Sequence, residues 1–122
     1  MNTYPESFDH MLAAWNERDL SLIRAHLDKA LAEDIEFIDP TIVTRGIGEY
    51  EQNVRGFRLK YPDAQHARSS GVDSHHNLHR YNWDIIVGGN VFLRGFDVTE
   101  TNAEGKVCRV LGFFGPLPEK EK

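Results

Sequence analysis

A chain of 122 residues that is 40% hydrophobic, 27% charged and 11% aromatic has the make-up of one soluble globular domain, which excludes a disordered, collagen-like or coiled-coil chain. A formal net charge of −5 with no clustered lysine and arginine leaves no electrostatic footprint for nucleic acid. No apolar run approaches the ~18 residues of a membrane span, and the opening Met-Asn-Thr-Tyr-Pro-Glu lacks the basic and apolar regions of a signal peptide, so a cytoplasmic protein is expected.

Phe8, Met11, Leu12 and Trp15 fall at i, i+3, i+4 and i+7, the spacing of an amphipathic helix that starts near Pro5. Leu20, Ile23, Leu27, Ala30 and Leu31 form a second stripe, with Asp19 as its N-cap. Asp34 to Asp39 alternates in part and stops at Pro40, which predicts one short strand. After Gly46, the stripe Ile47, Tyr50, Val54, Phe57 and Tyr61 predicts a third helix over 47–61, ended by Pro62.

From Gln65 the helical period disappears. Runs at 65–76, 78–87 and 91–101, separated by Asn77 and Gly88-Gly89-Asn90, read as antiparallel strands, and Val107 to Phe114 follows as a fourth. Within that last run the single cysteine, Cys108, reads as a small apolar residue; alone it cannot form an internal disulfide. The expected fold class is α+β, with helices gathered on one face of a curved, mostly antiparallel sheet. Residues 1–115 form the single expected domain and 116–122 a short charged tail.

The order of these elements, together with Trp15-Asn-Glu-Arg-Asp19, Phe37-Ile-Asp-Pro40, Gly95-Phe-Asp97, Gly105-Lys-Val107 and Gly112-Phe-Phe-Gly115, resembles the nuclear transport factor 2-like superfamily. Its SnoaL-like and ketosteroid isomerase-like branches are the nearest. The resemblance spans Phe8 to Gly115 and implies a cone-shaped α+β barrel, a bent sheet wrapped over three helices around an apolar pocket. It implies Asp39, before Pro40, as a general base, and Asp97, eight residues before Gly105, as a protonated acid that donates to the substrate's oxygen. The first-helix tyrosine that is the isomerases' other donor falls on Met11, which cannot donate. The SnoaL-like cyclases, which close polyketide rings without a metal, are similar to this chain to about the same degree.

The residues carry their own reading. Alternation along 91–101 puts Val91, Leu93, Gly95, Asp97 and Thr99 on one face and Phe92, Arg94, Phe96 and Val98 on the other. Facing the pocket, Asp97 is a lone acid among apolar neighbours, with its pKa pushed upward as in the ketosteroid isomerases. Facing outward, it is solvated or pairs with Arg80 or Arg109. Asp39 is either a second carboxyl for proton transfer or an ordinary strand-end Asp-Pro.

His75, His76 and His79 lie within five residues, yet a strand–turn–strand separates them and no HExxH pattern is present, so no metal is expected. His76 or His79 is a candidate polar group of the pocket, and a sheet-surface histidine is the plainer alternative. Tyr50, Phe57, Trp83 and Phe114 are candidate lining for a flat apolar ligand, Tyr50 and Trp83 being possible donors in place of Met11. Phe92, Phe96 and Val98 on the outer face predict a homodimer through the sheet.

The expected function is that of a metal-free and cofactor-free isomerase or cyclase, abstracting a proton beside the carbonyl of a small hydrophobic, steroid- or polyketide-like substrate. Asp39 and Asp97 are its candidate catalytic residues, and Tyr50, Phe57, His76, Trp83 and Phe114 its candidate binding residues. The alternatives are a non-catalytic dimeric small-molecule-binding module of the same fold, and an epoxide-opening hydrolase using Arg80 and Asp84.

Overall fold

Phe8, Met11 and Ala14 recur along helix α1 (Ser7–Asn16) and are all buried, which is what the stripe in this segment requires of its partner surface. A computed structural model describes residues 4–121; Met1–Thr3 of the domain and of the opening read for a signal peptide, and Lys122 of the tail, lie outside them. The Asp19 carboxylate accepts from the Ser21 amide at 3.0 Å and caps a 3-10 turn, Leu20–Leu22. Helix α2 (Ile23–Ala30) follows and buries Ile23, Leu27 and Ala30.

Leu31 continues the helical stripe in sequence but opens strand β1 (Leu31–Asp39). The strand starts earlier than the alternation from Asp34 predicts because Leu31 pairs with Val107 across the sheet, and tertiary pairing overrides the local period. A hairpin then leads to β2 (Ile42–Arg45), which the sequence does not announce because four residues are too few to show alternation. Helix α3 (Ile47–Lys60) buries Ile47, Tyr50, Val54 and Arg58.

The run 65–76, read as one strand, is two: β3 (Gln65–Arg68) and β4 (Asp73–His75). Both pair with β5 (Leu78–Val87), β3 against Trp83–Ile86 and β4 against Leu78–Arg80. Between them the Ser70 hydroxyl accepts from the Asn82 amide at 2.8 Å and the Ser69 amide donates to the Asn82 carbonyl, so side chain and loop complete the ladder where the strand breaks. Gly88 and Gly89, at φ 60° and 80°, make the tight turn to β6 (Asn90–Thr101), since two successive positive φ angles suit the twist of a hairpin. Strand β7 (Val107–Phe114) completes the sheet.

The strand order is β2-β1-β7-β6-β5-β3, with β4 beside β5. The β1–β7 pair is parallel and the rest are antiparallel. The result is a three-helix α+β fold on a curved, open, mixed sheet, close to the expected class. Among the described residues no helix is long and apolar enough to cross a membrane.

One sheet residue departs from the alternation. The β5–β6 register slips between Ile85↔Leu93 and Ile86↔Val91, leaving Phe92 as the extra residue of a bulge. Phe92 therefore leaves the outer face expected of it and meets Tyr61 at 5.1 Å, at the rim of the cavity. Phe96 and Phe113 do share the outer face, their rings stacked 4.8 Å apart.

Candidate active site

The concave face is a lattice of rows fixed by strand register. One row runs from Val110 through Thr99 to His79; the next from Gly112 through Asp97 to Tyr81; the next from Phe114 through Gly95 to Trp83 and Arg68; and the last from Leu93 through Ile85 to His66. Ile38 pairs with Leu111, so Asp39 ends β1 beside Gly112 and extends the second row. Helices α1 and α3 roof these rows and leave a cavity of about 390 Å³. Asp39, Asp97, Tyr50, Phe57, Trp83 and Phe114 all line it, as does Met11.

Glycines shape the acidic side. A methyl group on Gly112 would lie 3.1 Å from Oδ1 of Asp97 and 3.2 Å from Cβ of Asp39, so the two acids flank a position that carries no side chain. Their strands are two spacings apart, roughly 10 Å, and the Asp97 carboxyl reaches into that gap over Gly112. On β6 a Cβ at Gly95 would collide with the Phe113 carbonyl and the Trp83 ring. The bare Gly95 lets the indole lie across the strand and donate from Nε1 to Oδ1 of Asp97 at 3.0 Å.

Tyr81 donates from its hydroxyl to Oδ2 of Asp97 at 3.4 Å. Removal from water pushes the Asp97 carboxyl up to about 6; the Trp83 and Tyr81 hydrogen bonds oppose the rise and the charge of Asp39 adds to it. Asp39 is held differently: its Oδ1 accepts from the Thr41 amide at 2.8 Å, the Thr41 hydroxyl at 2.7 Å and the Ile42 amide at 3.1 Å. These bonds close the β1–β2 turn and leave Oδ2 without a partner among the described residues.

Tyr50 is fully buried, and its oxygen accepts from Trp15 Nε1 at 2.9 Å, which leaves its own O–H free to donate. Burial, with smaller contributions from Asp97 and Asp39, pushes its pKa up, so it is a neutral donor. Of the two donors named in place of Met11, Trp83 already spends its N–H on Asp97, and Tyr50 does not.

His76 is not part of this cavity. It occupies the β4–β5 turn, exposed, at φ 52°, its Nδ1 3.1 Å from that of His75. A turn needs that backbone conformation, and it carries the side chain away from the concave face. His79 is buried but lies below the acids, its ring nitrogens bonded to Ser74 and Thr101. Arg80 and Asp84 point to the outer face, paired with Asp73 and Arg94, so they form no water-activating cluster in the cavity.

Among the lining residues not singled out in the sequence are Tyr81, Arg68 and His66. Tyr81 shares the parity of Trp83 along β5, which marks it as inward-facing, but its place opposite Asp97 depends on register. Arg68 bonds Tyr4 at 2.8 Å and Asp9 at 2.9 Å, tying β3 to the start of α1. His66 sits between Trp15 and Phe57, with ring centroids 5.0 and 4.9 Å away.

An α+β cone enclosing an apolar cavity with two acids on one row defines the class of small pocket proteins that share this sheet. No family model and no curated protein matches the chain. A crystal structure from Agrobacterium tumefaciens str. C58, described as a candidate isomerase of the SnoaL-like family, is 30% identical over 90% of this chain and 95% of its own, with a TM-score of 0.84. The chain belongs to that SnoaL-like family. An NTF2-like protein of unknown function from Exiguobacterium sp. 255-15 shares the fold over 91% of this chain and 99% of its own, at 19% identity and a TM-score of 0.75. A SnoaL-like protein of unknown function from Burkholderia thailandensis E264 does so over 89% and 92%, at 17% identity and a TM-score of 0.69.

Proposed function

We propose that this protein is an isomerase or cyclase that removes a proton beside the carbonyl of a flat, largely apolar substrate. The observation that carries this reading is that Asp39 and Asp97 line one cavity wall on either side of Gly112, with the Asp97 carboxyl pushed up to about 6. Two carboxyls held in unlike environments divide the work of base and acid. Asp39 Oδ2, free of partners, takes the proton from carbon; Asp97, in its protonated form, donates to the oxygen as it becomes an enolate. At about 6 a minority of Asp97 carries its proton near pH 7, and negative charge growing on the substrate oxygen raises that share. Tyr50 O–H is the second donor. The proton on Asp39 returns to another carbon of the substrate, which balances an isomerisation, or the enolate closes a ring.

The test is exchange of the α-protons of 2-tetralone in deuterium oxide near pH 7, followed by proton NMR. Wild type speeds exchange above buffer, and Asp39→Asn or Asp97→Asn each cuts the gain by about a hundredfold or more. Exchange no faster than buffer overturns the enzymatic reading. Met11 in the cavity wall, where a donor is lacking, favours the second reading of a binding module, which predicts tight phenol binding with no exchange.

The outer face supports a homodimer in either case. Phe113 is half exposed and stacks on Phe96, with Val98 and Leu111 paired on the same face. Sedimentation of wild type as a dimer and of Phe113→Glu as a monomer is the expected result.

A further inference from the structure

The ring of His66 is fixed and unused. Asn16 clamps the backbone of His66 from both sides, its Oδ1 accepting from the His66 amide at 2.7 Å and its Nδ2 donating to the His66 carbonyl at 2.9 Å. Trp15 and Phe57 hold the imidazole between them. Its Nδ1 is sealed from solvent with no partner, and the ring makes no hydrogen bond among the described residues. Buried polar atoms in folded proteins are nearly always paired, so such a group asks for an explanation. A phenylalanine would fill the same aromatic slot without that cost.

With Nδ1 sealed, Nε2 is the ring atom left to meet a molecule in the cavity that His66 lines. Burial, and behind it the charge of Arg58, push the imidazole down to about 4, so near neutral pH it carries no charge. A neutral imidazole offers either an N–H or a lone pair at Nε2, depending on tautomer. A hydroxyl matches both, since it donates and accepts.

Position sets what the ligand must look like. His66 stands two rows from Asp97, or four residues along β5 from Tyr81 to Ile85, roughly 13 Å, and two strand spacings across. We propose that His66 is the second anchor of the site: the ligand is a flat, two-ended molecule whose reacting carbonyl meets Asp97 and whose far end carries a hydroxyl bound by His66. This rests on the cavity being a ligand site, as proposed above, and adds the substrate class, a hydroxylated ketone two rings or more in length.

A pair of probes that differ by one hydroxyl tests it: 4-phenylphenol and 4,4′-dihydroxybiphenyl, titrated by fluorescence near pH 7. Wild type binds the diol about tenfold more tightly than the single phenol. His66→Phe keeps affinity for the single phenol and loses the diol's advantage, while Asp97→Asn weakens both probes together. In wild type labelled with ¹⁵N-histidine, the diol shifts the His66 ring nitrogens and the single phenol does not, a readout independent of whether the variant folds. Equal affinity for both probes, a diol advantage that survives in folded His66→Phe, or unmoved ring resonances overturns the second anchor. Affinities unchanged by Asp97→Asn overturn the acid's role instead, and failure of both probes to bind wild type overturns both.

Discussion

Asp97 and His66 are ionisable groups buried on the same concave face, and each is pushed toward its neutral form, in opposite directions on the pH scale. Asp97 rises from an ordinary 3.8 to about 6; His66 falls from 6.5 to about 4. They differ in company. Trp83 and Tyr81 donate to Asp97, which partly offsets the cost of an ionised carboxylate there, whereas the His66 ring has aromatic walls and no polar partner. A group kept neutral by burial but furnished with donors can change charge during a reaction; a group kept neutral and left alone can only recognise. On the proposed function, the same desolvation serves proton transfer at one end and selection at the other.

Gly95→Ala breaks the contrast most severely. The added methyl meets the Phe113 carbonyl and the Trp83 ring, costs about 3 kcal/mol as overpacking, and drives the indole off Asp97, leaving Tyr81 as the acid's one donor. Urea unfolding reads the loss, and fluorescence reads the moved tryptophan.

His66→Phe and Asp97→Asn separate the two contributions by pH. A neutral buried imidazole stabilises fully above pH 6.5 and loses that contribution as pH falls through 4. His66→Phe therefore gains about 3 kcal/mol on wild type at pH 4 relative to its standing at pH 8. Asp97 runs the other way: its raised pKa stabilises below 3.8 and is lost as pH rises through about 6. Asp97→Asn therefore gains about 3 kcal/mol at pH 8 relative to pH 4, less whatever its hydrogen bonds lose. In wild type the two slopes oppose each other between pH 4 and 6, and each substitution exposes the other; denaturation midpoints at pH 4, 6 and 8 check both.

Trp83→Phe has the smallest effect and the finest resolution. It keeps the aromatic ring and removes the N–H, so the Asp97 pKa rises further, by about one unit. Carboxyl ¹³C NMR titration reads it, and an unmoved pKa would mean that Trp83 does not support the ionised form.

Much of the fold was legible because helical stripes and turn residues are local signals: the three helices, the Gly88-Gly89 turn and β7 follow from spacing alone. What escaped was set by pairing across the chain. β2 is too short to alternate, the break between β3 and β4 depends on Asn82 finding Ser69 and Ser70, and the bulge at Phe92 is a matter of register. Parity grouped Asp97 with Leu93 and Gly95 but left open which face is concave, and Asp-Pro marked Asp39 as a strand end. That the two flank Gly112, that Tyr81 lies opposite Asp97 and that His66 faces the same cavity depend on which strands are neighbours, which no local pattern encodes. His76 shows the reverse error: read as a candidate polar group of the pocket, it was spent on a turn.

Gly112 gives the cavity a single adjustable depth. Its backbone is ordinary paired strand, so a side chain there meets no conformational barrier, and the first atom it adds enters the gap between the two acids. A side chain at this position would press on the Asp97 carboxyl and the Asp39 Cβ and make the cavity shallower beside both acids. On the proposed function, this is a position where a fold of this kind would trade transforming a ligand for holding it without remaking any strand or helix.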